Sequence, residues 1–428
     1  MHTAAAPSAA ARMAFTYVKR HLSPKQALSG RLTGNGAVEV SASGCHVELS
    51  DGRSALDFGS YAVTILGHRH PDVLDAVHRQ LDLMPTATRL LTNPVTAAAA
   101  AALAAYLGGA LNRVFFGANG ADAVEAAIKL ARLASGRSRI VAVQGSFHGK
   151  SLGALALTHH ERYRGGLQDV LAPVVHVSPD DPDAVAKECA AGDVAALVFE
   201  PLQGENGVRP LDGEVMRAWC AAAAQHGTFV VADEIQTGLR RCGEPSLALE
   251  AGLPVDAVLL GKSLGGGVLP LSAAVCGERL YAPLLADPTI HSATFSGHPL
   301  ACAALPVALE AIEASAAQGR VLAAAMERGL ARLRHEHAHL VEGVRGKGLL
   351  WGLDLPSEDL TAKLIVRLAH GGLLVSPCMS RPTTLRLMPP LVAGADEVEQ
   401  ALQILSSALS ELPGPTSRNR PRDPVTLG

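Results

Sequence analysis

Lys262 follows the apolar run Ala257–Leu260 and precedes Ser-Leu-Gly-Gly-Gly. A Gly-Lys dipeptide alone reads as readily as a surface lysine, but spacing removes one rival. A phosphate-binding P-loop requires a glycine five positions before Gly261, and that position is Asp256. A lysine at the carboxyl end of a strand, partly withdrawn from water, can instead act as an imine-forming amine. Asp233 and Gln236 stand in VVADEIQTG, where another apolar run meets a loop. A carboxylate there needs a partner, because an unpaired buried charge is costly. A cationic nitrogen heterocycle would serve, and Gln236 could hydrogen-bond a phenolic oxygen. In FFGANGADAVEAAIKLAR, Gly120 and Ala121 open an alanine-rich helix whose free N–H groups and dipole favour a phosphate. An ordinary glycine-rich helix start looks the same. With Phe147 in SFHGK, the set comprises an aldehyde-reactive lysine, a carboxylate for a pyridinium, a phosphate cup and an aromatic platform. These are the components of a pyridoxal phosphate site.

Such groups need elements to hold them. Arg139–Val143, Val194–Phe199, Thr228–Ala232 and Ala257–Leu260 read as buried strands, separated by amphipathic stretches such as Ala121–Ala134 and Gly213–His226. Strands alternating with helices imply an α/β fold with a mostly parallel sheet covered on both faces, whose ligands sit at the strands' carboxyl ends. FEP at 199–201, ADE at 232–234 and GKS at 261–263 place ionisable groups there. A long helical pattern runs from about Pro299 to Glu342, and VRGKGLLWGLDL then opens a second, smaller α/β section. The tail Pro413–Gly428 is rich in Pro and Arg without periodicity and reads as disordered.

The chain has 428 residues, enough for two or three lobes with ample core. With 37 Lys+Arg against 40 Asp+Glu, the net charge of −3 argues against nucleic-acid binding driven by bulk charge. No stretch of about 18 apolar residues suits a membrane span. The first fifteen residues lack the compact apolar core of a secretory signal, while an organelle transit peptide stays open on composition. Seven scattered cysteines with no CxxC pair read as reduced thiols in a cytoplasm.

From about Val47 to Val392 the chain resembles the class III pyridoxal-phosphate-dependent aminotransferases, of the aspartate aminotransferase fold (fold type I). Nine ordered blocks carry the likeness: LDFGSYAVTILGHRHP, VFFGANGADAVEAAIKLAR, GSFHGKSLGAL, VFEPLQGENGV, VVADEIQTGLRRCGE, AVLLGKSLGGGVLPLSAA, HSATFSGHPLACAA, VRGKGLLWGLDL and LRLMPPL. The resemblance implies a large cofactor-binding domain over 86–309 and a small domain over 310–412 joined by the segment 1–85, followed by the tail 413–428. It implies that Lys262 holds the cofactor and shuttles the proton between Cα and C4′. Asp233 would keep the pyridine nitrogen protonated, and Phe147 would stack on the ring with His148 beside it. Gln236 would contact the phenolic oxygen, and Asn119, Gly120 and Ala121 would form the phosphate cup. Thr294 would reach the phosphate of a neighbouring subunit, making the site the shared property of a homodimer.

The acetylornithine and ornithine branch of the family implies a switch. Arg386 in LRLMPP would bind the α-carboxylate of glutamate or 2-oxoglutarate. Glu205 in EPLQGE would neutralise it when an ω-amino substrate enters, with Glu200 supporting the network. The bland reading of the same pair is a structural salt bridge. Tyr61 falls at the branch's specificity tyrosine, whereas His46 stands where another tyrosine is usual, and Lys150 replaces an arginine that binds a distal carboxylate. Asn119 for serine, Asp122 for glutamate, Arg240 for a small residue and His298 for asparagine are further departures. His46, Lys150 and Arg240 leave the amino donor open among a diamine, a non-acetylated ω-amino acid and a biosynthetic intermediate.

Other activities compete. A racemase, an aminomutase or a decarboxylase could use the same cup, but the Arg386–Glu205 pair favours a dual-substrate aminotransferase. A silent regulator is disfavoured because lysine, aspartate and phosphate positions are intact and no helix-turn-helix segment is appended. His335-Glu336-His337-Ala338-His339 matches HExxH of zinc hydrolases, with Glu358 as a conceivable third ligand. Its heavily charged surroundings read as a solvated helix face, so no metal site is assigned.

Overall fold

A computed structural model describes residues 8–413. All of the Pro413–Gly428 tail beyond Pro413 lies outside the described residues, as do the first seven residues of the chain. Four uninterrupted runs form the centre. Val194–Phe199, Phe229–Asp233, Ala257–Leu260 and Ser272–Cys276 are buried at every position. Strands without polar alternation must be covered on both faces. They belong to a seven-stranded sheet in the spatial order Arg113–Gly117, Ser272–Cys276, Ala257–Leu260, Phe229–Asp233, Val194–Phe199, Arg139–Val143, Val174–Val177. Ser272–Cys276 is antiparallel to both neighbours, and the other pairings are parallel.

Alternate side chains feed two cores. Leu197, Phe199, Val230 and Ala232 face one, with Met216 and Trp219 of the helix Gly213–Gln225. Ala196, Val198 and Val231 face the other, with Ala127, Ile128 and Ala131 of the helix Gly120–Ser135. Trp219 is fully buried and its indole N–H donates to the Asp181 carbonyl at 2.9 Å. Truncating a tryptophan placed like this costs about 3–5 kcal/mol. Because the strands on this side of the sheet share one direction, their carboxyl ends open onto one edge, where a ligand meets several loops at once. The strand containing Asp233 runs one residue further than its sequence pattern suggests, since Asp233 itself pairs with Leu259.

Two smaller sheets complete the frame. Glu39–Ser43, His46–Leu49 and Ser54–Asp57 form an antiparallel set, joined in parallel by Leu373–Leu374 from the far end of the chain. Gly343–Lys347, Leu350–Asp354, Thr384–Leu387 and Ser376–Pro377 form the other. The long helix expected from Pro299 to Glu342 is two helices, Pro299–Ala314 and Ala316–Glu336, bent by 59°. The bend lets the second helix pack against Ala395–Ser410, where Gly329 lies so close to Leu402 that a Cβ would meet Cδ1 at 2.2 Å. No single helix among the described residues is long and apolar enough to cross a membrane, though this bent pair passes jointly on length and composition.

The same helix ends the HExxH reading. Two histidines four apart converge on a metal only while the backbone stays helical. Here the helix stops at Glu336, and His337 is its cap with φ −115° and ψ 35°. His335 and His339 are both exposed, on opposite sides of that terminus.

Candidate active site

Lys262, Asp233, Gln236, Phe147, His148, Asn119, Gly120, Ala121, Glu200, Glu205 and Lys150 line one cavity of about 300 Å³ at the carboxyl edge of the large sheet. The sequence had scattered them over 144 positions, from 119 to 262. Ile235 and Gly149 complete the lining and were not singled out beforehand. Ile235 lies between two chemically conspicuous residues, and an aliphatic side chain carries no chemical signal of its own. It provides an apolar wall together with Phe147. A Cβ at Gly120 would come within 3.0 Å of the Ile235 side chain, a tight approach that the glycine avoids.

Each polar group is held by its own element. Lys262 follows the strand Ala257–Leu260 with φ 48°, a left-handed conformation costing a non-glycine residue about 1–2 kcal/mol. Burial pushes its ammonium pKa down, helped by the Arg386 charge and opposed by Glu205, Asp233 and Glu200. A larger share of neutral, nucleophilic amine follows. Asp233 accepts from the Ile235 amide at 3.1 Å and bonds His148 Nδ1 at 2.7 Å. Burial alone would lower the His148 pKa, but the hydrogen bond and charge of Asp233 outweigh it, and the pKa is raised. His148 thus supports the Asp233 carboxylate through Nδ1. Asn119 caps the helix Gly120–Ser135 in a reciprocal box with Asp122. The first-turn amides of Gly120 and Ala121 have no partner within the helix, as at every helix start.

Glu200 receives the Phe147 amide at 2.8 Å and so anchors the aromatic loop. Desolvation raises its pKa to about 8, with Asp233 adding to the rise and His148 opposing it. A carboxyl that holds its proton more tightly when folded makes stability fall as pH rises from the unfolded value toward the folded one. Across roughly pH 4.5 to 8 the penalty grows by at most about 1.4 kcal/mol per pH unit. Glu200→Gln, which keeps an oxygen for Phe147, is therefore expected to melt above wild type at pH 8 and to converge with it near pH 5. Calorimetry of the cofactor-free protein across that range checks it. A constant difference would mean that Glu200 does not titrate in this way.

Arg386 and Glu205 form a direct ion pair 181 residues apart, with Arg386 only 1% exposed. Burial would raise the Glu205 pKa, but Arg386 overrides it and holds the carboxyl below its usual range. Gln236 Nε2 also donates to Glu205 Oε1, at 3.2 Å. The expected contact of Gln236 with a phenolic oxygen therefore competes with Glu205 for the same donor.

Arg386 does not itself line the cavity but is paired with Glu205, which does, and four other residues stand elsewhere. Thr294 does not line the cavity; it is exposed on a loop where Arg89 donates to the carbonyls of Ala293 and Thr294 at 2.7 and 2.9 Å. Tyr61 is 71% exposed, in a run of left-handed residues from Ser60 to Ala62. His46 is also absent from the lining: its strand, paired with Ser54–Asp57, carries it beside Cys45, 3.7 Å from Sγ, and near Glu397. Arg240, suspected of influencing the donor, is occupied by Glu313 at 2.8 and 2.9 Å and Glu244 at 3.0 Å, and lines a separate surface cleft. Lys150 reaches the cavity mouth, with Nζ 4.9 Å from the Tyr163 ring centre and 5.8 Å from that of Phe147.

The residues present fit pyridoxal phosphate. The buried His148 Nε2 and Gln236 Oε1 have no hydrogen-bond partner within the protein, a sign that a polar guest completes the site. A desolvated lysine, a buried carboxylate, apolar walls and a helix N-terminus supply what its aldehyde, pyridine nitrogen, ring and phosphate require. This site on a mostly parallel sheet defines a pyridoxal-phosphate-dependent enzyme of fold type I.

Comparison with known proteins narrows the class. The aminotransferase class-III family matches residues 34–409. Putrescine aminotransferase of Pectobacterium atrosepticum is 33% identical over 395 residues, covering 89% of this chain and 84% of the relative. The crystal structure of ornithine aminotransferase from Toxoplasma gondii ME49 superposes with a TM-score of 0.85 at 26% identity, covering 94% of this chain and 95% of the other. An amine transaminase from an uncultivated Pseudomonas species, solved in its PLP-bound form, gives 0.79 at 26% identity over 87% and 94% of the two chains. The chain belongs to the class-III aminotransferases and is a pyridoxal-phosphate-dependent aminotransferase.

Proposed function

We propose that this enzyme takes the terminal amino group of an ω-amino acid or diamine and delivers it to an oxo acid such as 2-oxoglutarate, the two substrates using one site in turn. The observation that carries the reading is the buried Arg386–Glu205 pair beside Lys262. Pyridoxal phosphate supplies the aldehyde that accepts the amino group and a ring that withdraws electrons. Asp233 would hold a proton on the pyridine nitrogen, and Lys262 would hold the aldehyde and serve as the group that moves a proton. Phe147 and Ile235 would wall the ring off from water, and the Gly120 and Ala121 amides would hold the phosphate. With Glu205 paired, the cavity presents no free guanidinium, which suits a terminal amine. With Glu205 withdrawn, Arg386 offers a fork to a carboxylate. At the mouth, the Lys150 ammonium complements a distal carboxylate more than a second ammonium, while the Pectobacterium relative favours a diamine.

The experiment mixes purified holoenzyme with putrescine, ornithine and other ω-amino compounds, follows the change in cofactor absorbance, and then adds 2-oxoglutarate. Arg386→Ala is expected to keep the amine half-reaction and to lose 2-oxoglutarate use by roughly 30-fold or more, the effect of removing one partner from a buried charge pair. Normal reaction of that variant with both partners would end the switch proposal.

We also propose a homodimer in which Thr294 completes the partner's phosphate cup. Leu90, Leu91 and Phe295 are 93%, 76% and 62% exposed around the loop held by Arg89, an apolar surface that favours association. Sedimentation equilibrium is expected to give twice the chain mass, and Thr294→Val to weaken cofactor retention without dissociating the dimer. A fully active monomer would defeat this. A cytoplasmic location, with no nucleic-acid or membrane partner, belongs to the same reading and is supported by seven free, buried cysteines and a near-balanced charge.

A further inference from the structure

The geometry points to a latch: Tyr163, through the turn at Met379–Ser380, holds Glu205 against Arg386 and so sets how readily the enzyme accepts its oxo acid. This rests on the two-substrate reading above. Glu205 is gripped at both ends. Its carboxylate accepts the Met379 amide on Oε2 at 2.9 Å, and its own carbonyl accepts the Ser380 amide at 3.0 Å. One residue earlier, the Cys378 thiol donates to the Gly204 carbonyl at 3.2 Å. The turn belongs to the hairpin between Ser376–Pro377 and Thr384–Leu387, the strand that also carries Arg386. Acid and base of the switch are thus read by one hairpin.

Tyr163 reaches that hairpin from the other side. Its hydroxyl donates to the Met379 carbonyl at 2.8 Å, across 216 residues of sequence. Its ring stands edge-on to Phe147 at 5.8 Å and lies under the Lys150 ammonium. Tyr163 does not line the cavity, so it is a positioning residue, not a catalytic one. The same residue, Met379, donates its N–H to Glu205 and receives Tyr163 on its carbonyl. A fixed Met379 keeps the N–H aimed at the carboxylate.

For Arg386 to receive an oxo acid, Glu205 must leave, and the Met379 amide loses its acceptor. A buried donor left unpaired is costly, and the cost is greatest when the turn cannot relax. Tyr163 therefore favours the closed arrangement. Without its hydroxyl the turn can reorient once Glu205 withdraws, and the open fraction rises. When the competent state is the minor one, apparent affinity scales with its population. The affinity for the oxo acid improves, while the amine half-reaction, served by the major closed state, changes little.

Tyr163→Phe in the full-length holoenzyme is the test. Losing one hydrogen bond of ordinary strength predicts about 3–10-fold tighter apparent binding of 2-oxoglutarate, with maximum half-reaction rates kept and amine affinity changed less than about twofold. In a Glu205→Ala background the same change is expected to have no further effect. Weaker or unchanged 2-oxoglutarate binding, or an equal effect with and without Glu205, overturns the latch. Hydrogen exchange in the wild type gives a second readout independent of the variant. The Met379 and Ser380 amides are expected to exchange faster with saturating 2-oxoglutarate, and unchanged protection overturns the proposal. A wild type that uses no oxo acid at all defeats the two-substrate reading instead, so the two failures are separable.

Discussion

Lys262→Ala is expected to give a folded protein that shows no visible absorbance band after incubation with pyridoxal phosphate and no cofactor fixed to the chain by borohydride. Wild type is expected to show both, with the label on residue 262. The reason lies in the surroundings of Nζ. It is the one amine that burial drives toward its neutral form inside a cavity also containing Asp233, Glu200 and Glu205. Lys150, the other lysine at this cavity, sits exposed over the Tyr163 ring. Removing the group that moves the proton lowers turnover by on the order of 10²–10⁴-fold, before the loss of the covalent tether is counted. Folding should survive, because the substitution relieves a buried amine and leaves the apolar strand Ala257–Leu260 intact. A Lys262→Ala protein that still bound the cofactor covalently would move the reaction centre elsewhere.

Asp233→Asn should leave the cofactor attached through Lys262 yet slow both half-reactions by on the order of 10²–10³-fold, the usual effect of deleting one pre-aligned electrostatic group. Asparagine matches the shape and can still accept from the Ile235 amide, so the loop 233–236 keeps its turn. It cannot carry the negative charge that holds a proton on a pyridine nitrogen. It also removes the negative charge that accepts from His148 Nδ1 and raises the pKa of that imidazole. Because the defect precedes the choice of substrate, amine and oxo acid should suffer alike. That separates it from Arg386→Ala, where only the carboxylate substrate is affected. Rates within about threefold of wild type would show that Asp233 does not control the ring nitrogen.

The four strands read from apolar runs and the helices starting near Gly120 and Gly213 were legible because each is specified by its own side chains. An unbroken β-branched run excludes a half-solvated strand, and a Gly-rich start before alanines favours a helix. Lys262, Asp233, Gly120 and Phe147 were legible for the same reason. Asp233 ends an apolar strand, Lys262 and Phe147 come within four residues of one, and Gly120 opens a helix, so their place at the sheet edge is a local consequence. The long helix from Pro299 was misjudged, since nothing local records that Ala316–Glu336 must turn to meet Leu402. HExxH, set aside on its charged surroundings, shows the converse: the letters match, but the helix they need ends within them.

What the amino-acid order determined on its own was the chemistry available and the edge at which it would gather, because hydrophobic period and turn residues act over a few positions. Tertiary packing alone decided which distant groups meet. It joined Arg386 to Glu205 and Tyr163 to Met379, bonded His148 to Asp233, and carried Arg240 and His46 away from the cavity. Contacts across such separations depend on how whole sheets and helices seat against one another, and no short stretch of sequence contains that information.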